Sequence, residues 1–134
     1  MIVFGKDVEA TDLGGGVRRK VLAYDKEIMT VEVNFDTGAV GEIHSHVHRQ
    51  ASYCVSGSFR VDIDGEVSII SAGDSFLVEP NLDHGVECLS AGTLIDVFTP
   101  MRRSFLPESV REELRNKEIK EIESKPNVIV KILY

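Results

Sequence analysis

Seven consecutive positions, the stretch "HSHVHRQ" from residue 44 to residue 50, hold three of the four histidines in this 134-residue chain. His44, His46, His48 and Gln50 are spaced two apart. In a β-strand, side chains at that spacing face the same side, so imidazole nitrogens and an amide oxygen could surround one ion. Imidazole suits Zn, Ni, Fe, Co and Cu. A run of surface histidines has the same spacing, and this stretch alone leaves both interpretations open.

The fourth histidine, His84, lies in a second distinctive stretch, "GDSFLVEPNLDHGVE". It follows Gly73 by eleven residues and comes after a predicted turn that contains Pro80, Asn81 and Asp83. We expect it at the start of a strand, because the residues after it are mostly apolar. A distant histidine at a strand end favours the metal interpretation over a surface run.

The spacing of these residues resembles the two motifs of the cupin family. Five residues fit the first motif, G-x5-H-x-H-x3-E-x6-G, with glutamine at the glutamate position: Gly38, His44, His46, Gln50 and Gly57. Gly73 and His84 fit the second motif, although its proline is displaced to Pro80 and Asn81 stands at its inner glycine. The resemblance implies an all-β fold, a single cupin jelly-roll β-barrel with its ligand site inside the mouth.

The same resemblance implies that His44, His46, Gln50 and His84 bind one divalent transition metal ion, which could be Zn, Ni, Fe, Mn, Co or Cu. Compared with a glutamate, a neutral Gln50 carbonyl leaves the site at a formal charge of +2, which favours Lewis-acid chemistry over oxygenation. His48 has no ligand role in the motif. We expect it to be a pocket residue, with an exposed histidine at the rim as the alternative.

A third stretch, "GTLIDVFTPMRRSFL", places Asp96 within an apolar strand, where an unpaired carboxylate is costly. A structural Asp96, satisfied by nearby backbone or by Arg102, is the plain alternative to a functional one. This stretch and "LGGGVRRKVLAY" closely resemble the small cupins of pectin degradation, which convert 4,5-unsaturated uronate monosaccharides into linear 5-keto-4-deoxyuronates. The similarity covers roughly residues 10 to 106.

That resemblance implies a catalytic role for Asp96, as the acid or base beside the metal, and for Arg102, as the partner of the uronate carboxylate. Phe98 and His48 are then expected to line the substrate pocket. The family usually has Glu-Asp where this chain has Arg103 and Ser104, which puts its substrate choice in question. Alternative functions are another cupin isomerase or dioxygenase acting on a small acid or sugar, and a non-catalytic cupin that binds a metal or ligand.

The elements that must position these residues are short strands. Up to about residue 100, apolar or alternating runs such as "VRRKVLAY" and "EVSIIS" recur every 8 to 12 residues between turn residues such as "SGS" and "SAG", which predicts an all-β sandwich or barrel. Ser109 and Glu112 are spaced as a capping box, so we predict a helix from there to about Ser124, followed by a terminal strand in "VIVKILY". The predicted domains are the barrel, 1–106, and an extension, 107–134, packed on the barrel or on a partner subunit.

The composition narrows the class of protein. A net charge of -7 argues against binding to nucleic acid, and no apolar run reaches the roughly 20 residues that a membrane span requires. Cys54 and Cys88 show no CxxC spacing and are expected to be buried thiols. We therefore expect a cytoplasmic protein, and the family resemblance implies that it acts on a small anionic sugar and forms a homodimer.

Overall fold

The computed structural model describes residues 1–124, in which eight strands are followed by one α-helix. The strands are β1 Thr11–Gly14, β2 Val17–Tyr24, β3 Met29–Phe35, β4 Val40–His44, β5 Arg49–Ile63, β6 Glu66–Ser71, β7 Ser75–Val78 and β8 His84–Thr99. The helix, α1, spans Glu108–Ser124. The terminal strand predicted for "VIVKILY" falls outside the described residues.

Two long antiparallel strands, β5 and β8, organise the fold, and they pair along nearly their whole length. The first half of β5 also pairs with β7, and its second half pairs with β6. β8 is shared in the same way, with β4 beside its first half and β3 beside its second half. Each long strand thus has different outer neighbours along its two halves within one eight-stranded sheet. Among residues 1–124, the pairing path β1-β2-β3-β8-β5-β6 does not close on itself, an arrangement consistent with a jelly roll.

The long strands change neighbours near the place where two glycines meet. A Cβ at Gly92 would lie 2.0 Å from the Ser56 carbonyl oxygen, and one at Gly57 would lie 2.5 Å from the Ser90 carbonyl oxygen. Gly57 also has a φ of 78°, which side chains rarely adopt. The prediction of separate strands on either side of "SGS" and "SAG" is therefore wrong. These residues form irregular positions within continuous strands, not turns.

The core lies on the inward-facing side of the strands. Along β3, every second side chain from Met29 to Phe35 is buried, as expected for a strand with one face inward. Phe35 meets Phe59 of β5 edge to face, with ring centroids 5.2 Å apart, so β3 and β5 pack together although they are not paired. Burying a side chain such as Phe59 contributes roughly 1.5–3 kcal/mol. The predicted all-β class is confirmed.

The chain divides into two compact units, Met1–Met101 and the part from Arg102 onward. In the second unit, a short 3-10 turn at Arg103–Phe105 precedes α1. The helix begins at Glu108, with the Pro107 carbonyl accepting the first bonds, so Ser109 already lies inside the first turn. The predicted capping box is therefore wrong, although the predicted helix is confirmed. Within the described part of the chain, no helix has the length and apolar character needed to span a membrane.

Candidate metal centre

The three clustered histidines come from three different pieces of backbone. His44 ends β4, and His84 begins β8 directly opposite it in the pairing of the two strands. His46 lies in the connection between β4 and β5, and Gln50 is the second residue of β5. The interpretation of residues 44–50 as one strand is therefore wrong. The chain turns within this stretch and brings the side chains together from several directions.

One ring nitrogen from each of His44, His46 and His84 lies within 4.8 Å of the other two. The ring centroids of His44 and His84 are 4.4 Å apart, and those of His46 and His84 are 4.7 Å apart. His84 is buried, His46 is half-buried and His44 is exposed, so the cluster reaches from the interior to the surface. Three imidazoles at such spacing can share one ion.

Backbone carbonyls fix which nitrogen each ring turns toward the cluster. Nδ1 of each ring donates to a carbonyl oxygen within two residues: His44 to Glu42 at 2.8 Å, His46 to His48 at 2.9 Å and His84 to Leu82 at 2.9 Å. A carbonyl can only accept, so each neutral ring carries its hydrogen on Nδ1. Nε2 is then the nitrogen through which each ring could bind a metal, which is the usual way that ligand histidines are oriented.

Gln50 adds an oxygen to this group. Its Oε1 lies 3.1 Å from Nε2 of His46 and 3.2 Å from Nε2 of His84. When both neutral rings carry hydrogen on Nδ1, these contacts bring acceptors against acceptors. Three imidazole nitrogens with one amide oxygen suit a divalent transition metal, and a bound cation would turn this repulsion into attraction. The residues present therefore fit the metal that the sequence predicts.

A turn between β7 and β8 supports the cluster from the other side. Asn81 has a φ of 67°, and its backbone N–H donates to the carbonyl of His46 at 2.8 Å. Asparagine tolerates this left-handed conformation better than most residues. This explains why asparagine can stand at the inner glycine of the motif. The bond ties the His46 connection to the turn that precedes His84.

Asp96 lies beside the cluster, directly opposite Ser52 in the pairing of β8 with β5. The Ser52 hydroxyl donates to Oδ1 of Asp96 at 2.6 Å, and Nε2 of Gln50 donates to the Ser52 hydroxyl at 2.9 Å. Asp96, Gln50, His44 and His84 line one cavity of about 100 Å³. In the structural alternative for Asp96, the expected partners were backbone groups or Arg102. Ser52 was not among them.

Sequence reasoning missed Ser52 altogether, although a signal was present. Ser52 has the same parity as Gln50 and Cys54 in β5, and all three are buried. A serine between two inward-facing residues suggests a buried hydroxyl that needs a partner. Its partner could not be identified from the sequence, because the sequence of neither strand determines the register between β5 and β8.

The two predicted pocket residues lie near His46. Phe98 is 2% exposed, and its ring meets His46 edge-on with centroids 5.7 Å apart. His48 is 5% exposed, so the alternative of an exposed histidine at the rim is wrong. Its ring lies 5.4 Å from that of His46 and 6.4 Å from that of Phe98, while its carbonyl orients His46. Contact with a substrate stays a prediction for both residues.

Arg102 begins the second unit, where its guanidinium lies 4.1 Å above the ring of Phe105. Arg103 is buried and forms an ion pair with Glu118 of α1. The predicted role of Arg102 at a substrate carboxylate, and the effect of Arg103 and Ser104 on substrate choice, stay predictions.

Both cysteines are buried, as expected from the sequence, and each is a free thiol. Burial raises the pKa of the Cys54 thiol, and burial likewise raises the pKa of the Cys88 thiol. Cys54 donates to the carbonyl of Ser56, and Cys88 to that of Ser90. Neutral, buried thiols of this kind are poor nucleophiles and poor metal ligands, so the two cysteines act as core residues. They lie near the glycine crossing, the place where Gly57 of β5 and Gly92 of β8 are in close contact.

Comparison with known proteins agrees with this geometry. A family model described as "Cupin domain" (Cupin_2) matches residues 31–98. The pectin degradation protein KdgF of Dickeya dadantii (strain 3937) is 42% identical over 97 residues, which cover 71% of this chain and 88% of that protein. An RmlC-like cupin from Shewanella frigidimarina NCIMB 400 is 46% identical with a TM-score of 0.77, covering 78% of this chain and 95% of the other. KdgF from Halomonas sp. is 35% identical with a TM-score of 0.76, covering 79% of this chain and 98% of the other.

Proposed function

The chain belongs to the cupin family, and on that premise we propose that it is a metal-dependent enzyme of pectin degradation. The proposed reaction opens the ring of a 4,5-unsaturated uronate monosaccharide and yields the linear 5-keto-4-deoxyuronate. The observation that carries this proposal is the shared cavity, which Asp96 lines together with Gln50 and with His44 and His84, two of the three clustered histidines. A binding protein needs no carboxylate there, whereas a proton-transfer enzyme does.

The reaction is an isomerisation, so no atoms are gained or lost. A proton leaves the anomeric hydroxyl, the bond from C1 to the ring oxygen breaks, and an aldehyde forms at C1. The electron pair stays on the former ring oxygen as an enolate, which becomes the 5-keto group when C4 takes up a proton. When bound, a divalent ion supplies Lewis-acid polarisation of the substrate oxygens at this site.

The residues of the chain divide the remaining work. His44, His46, His84 and Gln50 would hold the ion. In this proposal, Asp96 takes the proton from the anomeric hydroxyl or delivers one to C4, since a fixed carboxylate in a cavity can do either. Arg102 binds the uronate carboxylate, because a guanidinium matches two carboxylate oxygens at once. Phe98 and His48 form the wall of the pocket beside His46.

The size of the cavity supports a small substrate. At about 100 Å³, it is smaller than the roughly 300–1,000 Å³ of most small-molecule sites. We therefore expect the cavity to admit only the reacting end of the proposed monosaccharide. The homodimer and the cytoplasmic location expected from the sequence stay predictions.

The position of proton delivery tests the proposal. Metal-loaded protein is incubated in D2O with unsaturated galacturonate, and the product is followed by NMR. We expect the vinyl proton signal at C4 to disappear faster than in a protein-free sample, with deuterium at C4 of the linear product. A reaction no faster than the protein-free sample, in protein whose metal content is complete, would refute this function and favour a non-catalytic metal-binding cupin.

A further inference from the structure

Three side chains on the inner faces of β5 and β8 form a hydrogen-bonded chain that runs from Gln50 through Ser52 to Asp96. Nε2 of Gln50 donates to Oγ of Ser52 at 2.9 Å, and Oγ of Ser52 donates to Oδ1 of Asp96 at 2.6 Å. Ser52 is 2% exposed, so water does not compete for its hydroxyl. The distance to Asp96 lies in the range of charge-assisted bonds from a hydroxyl to a carboxylate.

The single hydrogen of the Ser52 hydroxyl determines this direction. An ionised carboxylate only accepts, so the hydroxyl hydrogen is committed to Asp96. The lone pairs of Oγ must then receive a donor from Gln50, and only the amide nitrogen can provide one. The amide oxygen is thereby turned toward His46 and His84, where it lies 3.1 Å and 3.2 Å from their Nε2 atoms.

We propose that Ser52 is a positioning residue for the metal site, which holds the Gln50 amide with its oxygen toward the histidines and transmits the orientation set by Asp96. The inference rests on the metal site of the proposed function and not on its substrate. It also gives a reason for glutamine at this position. A glutamate would bring a second acceptor to a hydroxyl whose only hydrogen is already donated to Asp96.

The proposal predicts that the direction of the hydrogen bonds from Gln50 through Ser52 to Asp96 can be reversed by two substitutions. In Asp96→Asn, the new amide nitrogen can donate to Ser52, and the hydroxyl hydrogen is then available for a carboxylate at position 50. Gln50→Glu should therefore be poorly tolerated alone and well tolerated together with Asp96→Asn. In Gln50→Glu, the new carboxylate and Asp96 also repel each other directly, and this repulsion produces coupling of the same sign. A double-mutant cycle measured only with Ser52 present therefore does not separate the contribution of Ser52 from this repulsion.

The test is the same double-mutant cycle measured with Ser52 and with Ser52→Ala. Urea unfolding of metal-stripped protein supplies the readout, so neither metal nor substrate is needed. The quantity compared is the coupling between Gln50→Glu and Asp96→Asn, expressed as a factor in the unfolding equilibrium constant. We expect this factor to be about tenfold larger with Ser52 than with Ser52→Ala, since residues that share a hydrogen-bond network show coupling of this order. Equal coupling in the two backgrounds would overturn the proposal.

Metal affinity gives a second measurement, by calorimetric titration with Zn2+. We expect Ser52→Ala to weaken binding about 10- to 100-fold, as the loss of a partner that orients a ligand usually does. Cys54→Ala is the matched control, because Cys54 is the next inward residue of β5 and its thiol donates to the Ser56 and Gly57 carbonyls. It should lower stability with little change in affinity, and an equal loss of affinity in both variants would contradict the proposal.

If Ser52→Ala does not fold, Ser52→Thr and Ser52→Val replace it, because they have the same shape and differ in the hydroxyl. The Thr variant should keep the coupling and the affinity, and the Val variant should lose both. Equal behaviour of the two would overturn the role of the hydroxyl. These readouts are independent of uronate turnover, so an inactive protein that still shows the coupling refutes the proposed reaction and leaves the role of Ser52 intact.

Discussion

His44 and His84 are direct cross-strand partners at the end of β4 and the start of β8, with ring centroids 4.4 Å apart. They are forty positions apart in the chain, so the pairing of β4 with β8 itself brings two of the three clustered imidazoles together. Metal bound between them would tie the two strands to each other. Binding should therefore stabilise the folded state by mass action as well as enable chemistry.

Replacing His84 tests this pairing. We expect His84→Ala to weaken Zn2+ binding by more than about 100-fold, because a lost ligand costs more than a lost orienting partner, which costs about 10- to 100-fold. His48→Gln is the matched control, since His48 belongs to the same run of histidines but not to the cluster. Metal content by mass spectrometry and affinity by calorimetry provide the readouts. Equal loss of metal in both variants would show that the cluster is wrongly assigned.

The glycine crossing makes a prediction about stability. A Cβ at Gly92 would lie 2.0 Å from the Ser56 carbonyl oxygen, so Gly92→Ala forces the two long strands apart. We expect it to cost about 4 kcal/mol or more of unfolding free energy, or to prevent folding. Gly5→Ala is the control, because nothing lies within 4 Å of its added methyl group, and it should stay within about 0.5 kcal/mol. Urea unfolding measures both, and similar costs would contradict the crossing.

The two cysteines should react slowly in the native protein. Burial raises the pKa of both thiols, so little thiolate forms at pH 8. Burial also keeps the reagent away from both sulfur atoms. Titration with a disulfide reagent should find almost no fast thiol in folded protein and two in urea. A rapid reaction of one thiol before unfolding would mean that it is accessible, and its assignment to the core would be wrong.

The ion pair between Arg103 and Glu118 should matter more than the exposed pairs on the same helix. Both side chains are buried, and removing one partner leaves a buried charge, which usually costs about 3–5 kcal/mol. Glu118→Gln should therefore lower the unfolding midpoint clearly. Glu108→Gln removes an exposed carboxylate that contacts Arg111 and Arg115, and it should have little effect. The same midpoint for both variants would contradict the difference in burial.

Local pattern was sufficient to predict several elements. The runs "VRRKVLAY" and "EVSIIS" coincide with β2 and β6 as observed, Val17–Tyr24 and Glu66–Ser71. Both are flanked by residues that end strands, so nothing outside the run is needed to place them. The ligand candidates could also be named from sequence, because the spacing of the cupin motifs identifies positions without requiring their geometry.

The remaining features depend on contacts between distant parts of the chain. Gly57 is typical of a turn, yet β8 approaches so closely that the glycine sits inside a strand. The spacing of His44, His46 and His48 is typical of a single strand. In the structure, however, β4 ends at His44 and the chain turns before β5 begins at Arg49. The pairing of Ser52 with Asp96 requires the register of two strands, and local periodicity does not encode register between distant strands.

The most direct test of the proposed function is the decay of the ultraviolet absorbance of the C=C bond in unsaturated galacturonate. It is measured with metal-loaded protein, with metal-stripped protein and with metal-loaded Asp96→Asn. We expect a clear acceleration over the spontaneous decay in the first sample alone, with the loss in Asp96→Asn reaching about 100-fold or more, as for other acid–base residues. A decay at the spontaneous rate in fully loaded wild-type protein, or undiminished activity in Asp96→Asn, would contradict it.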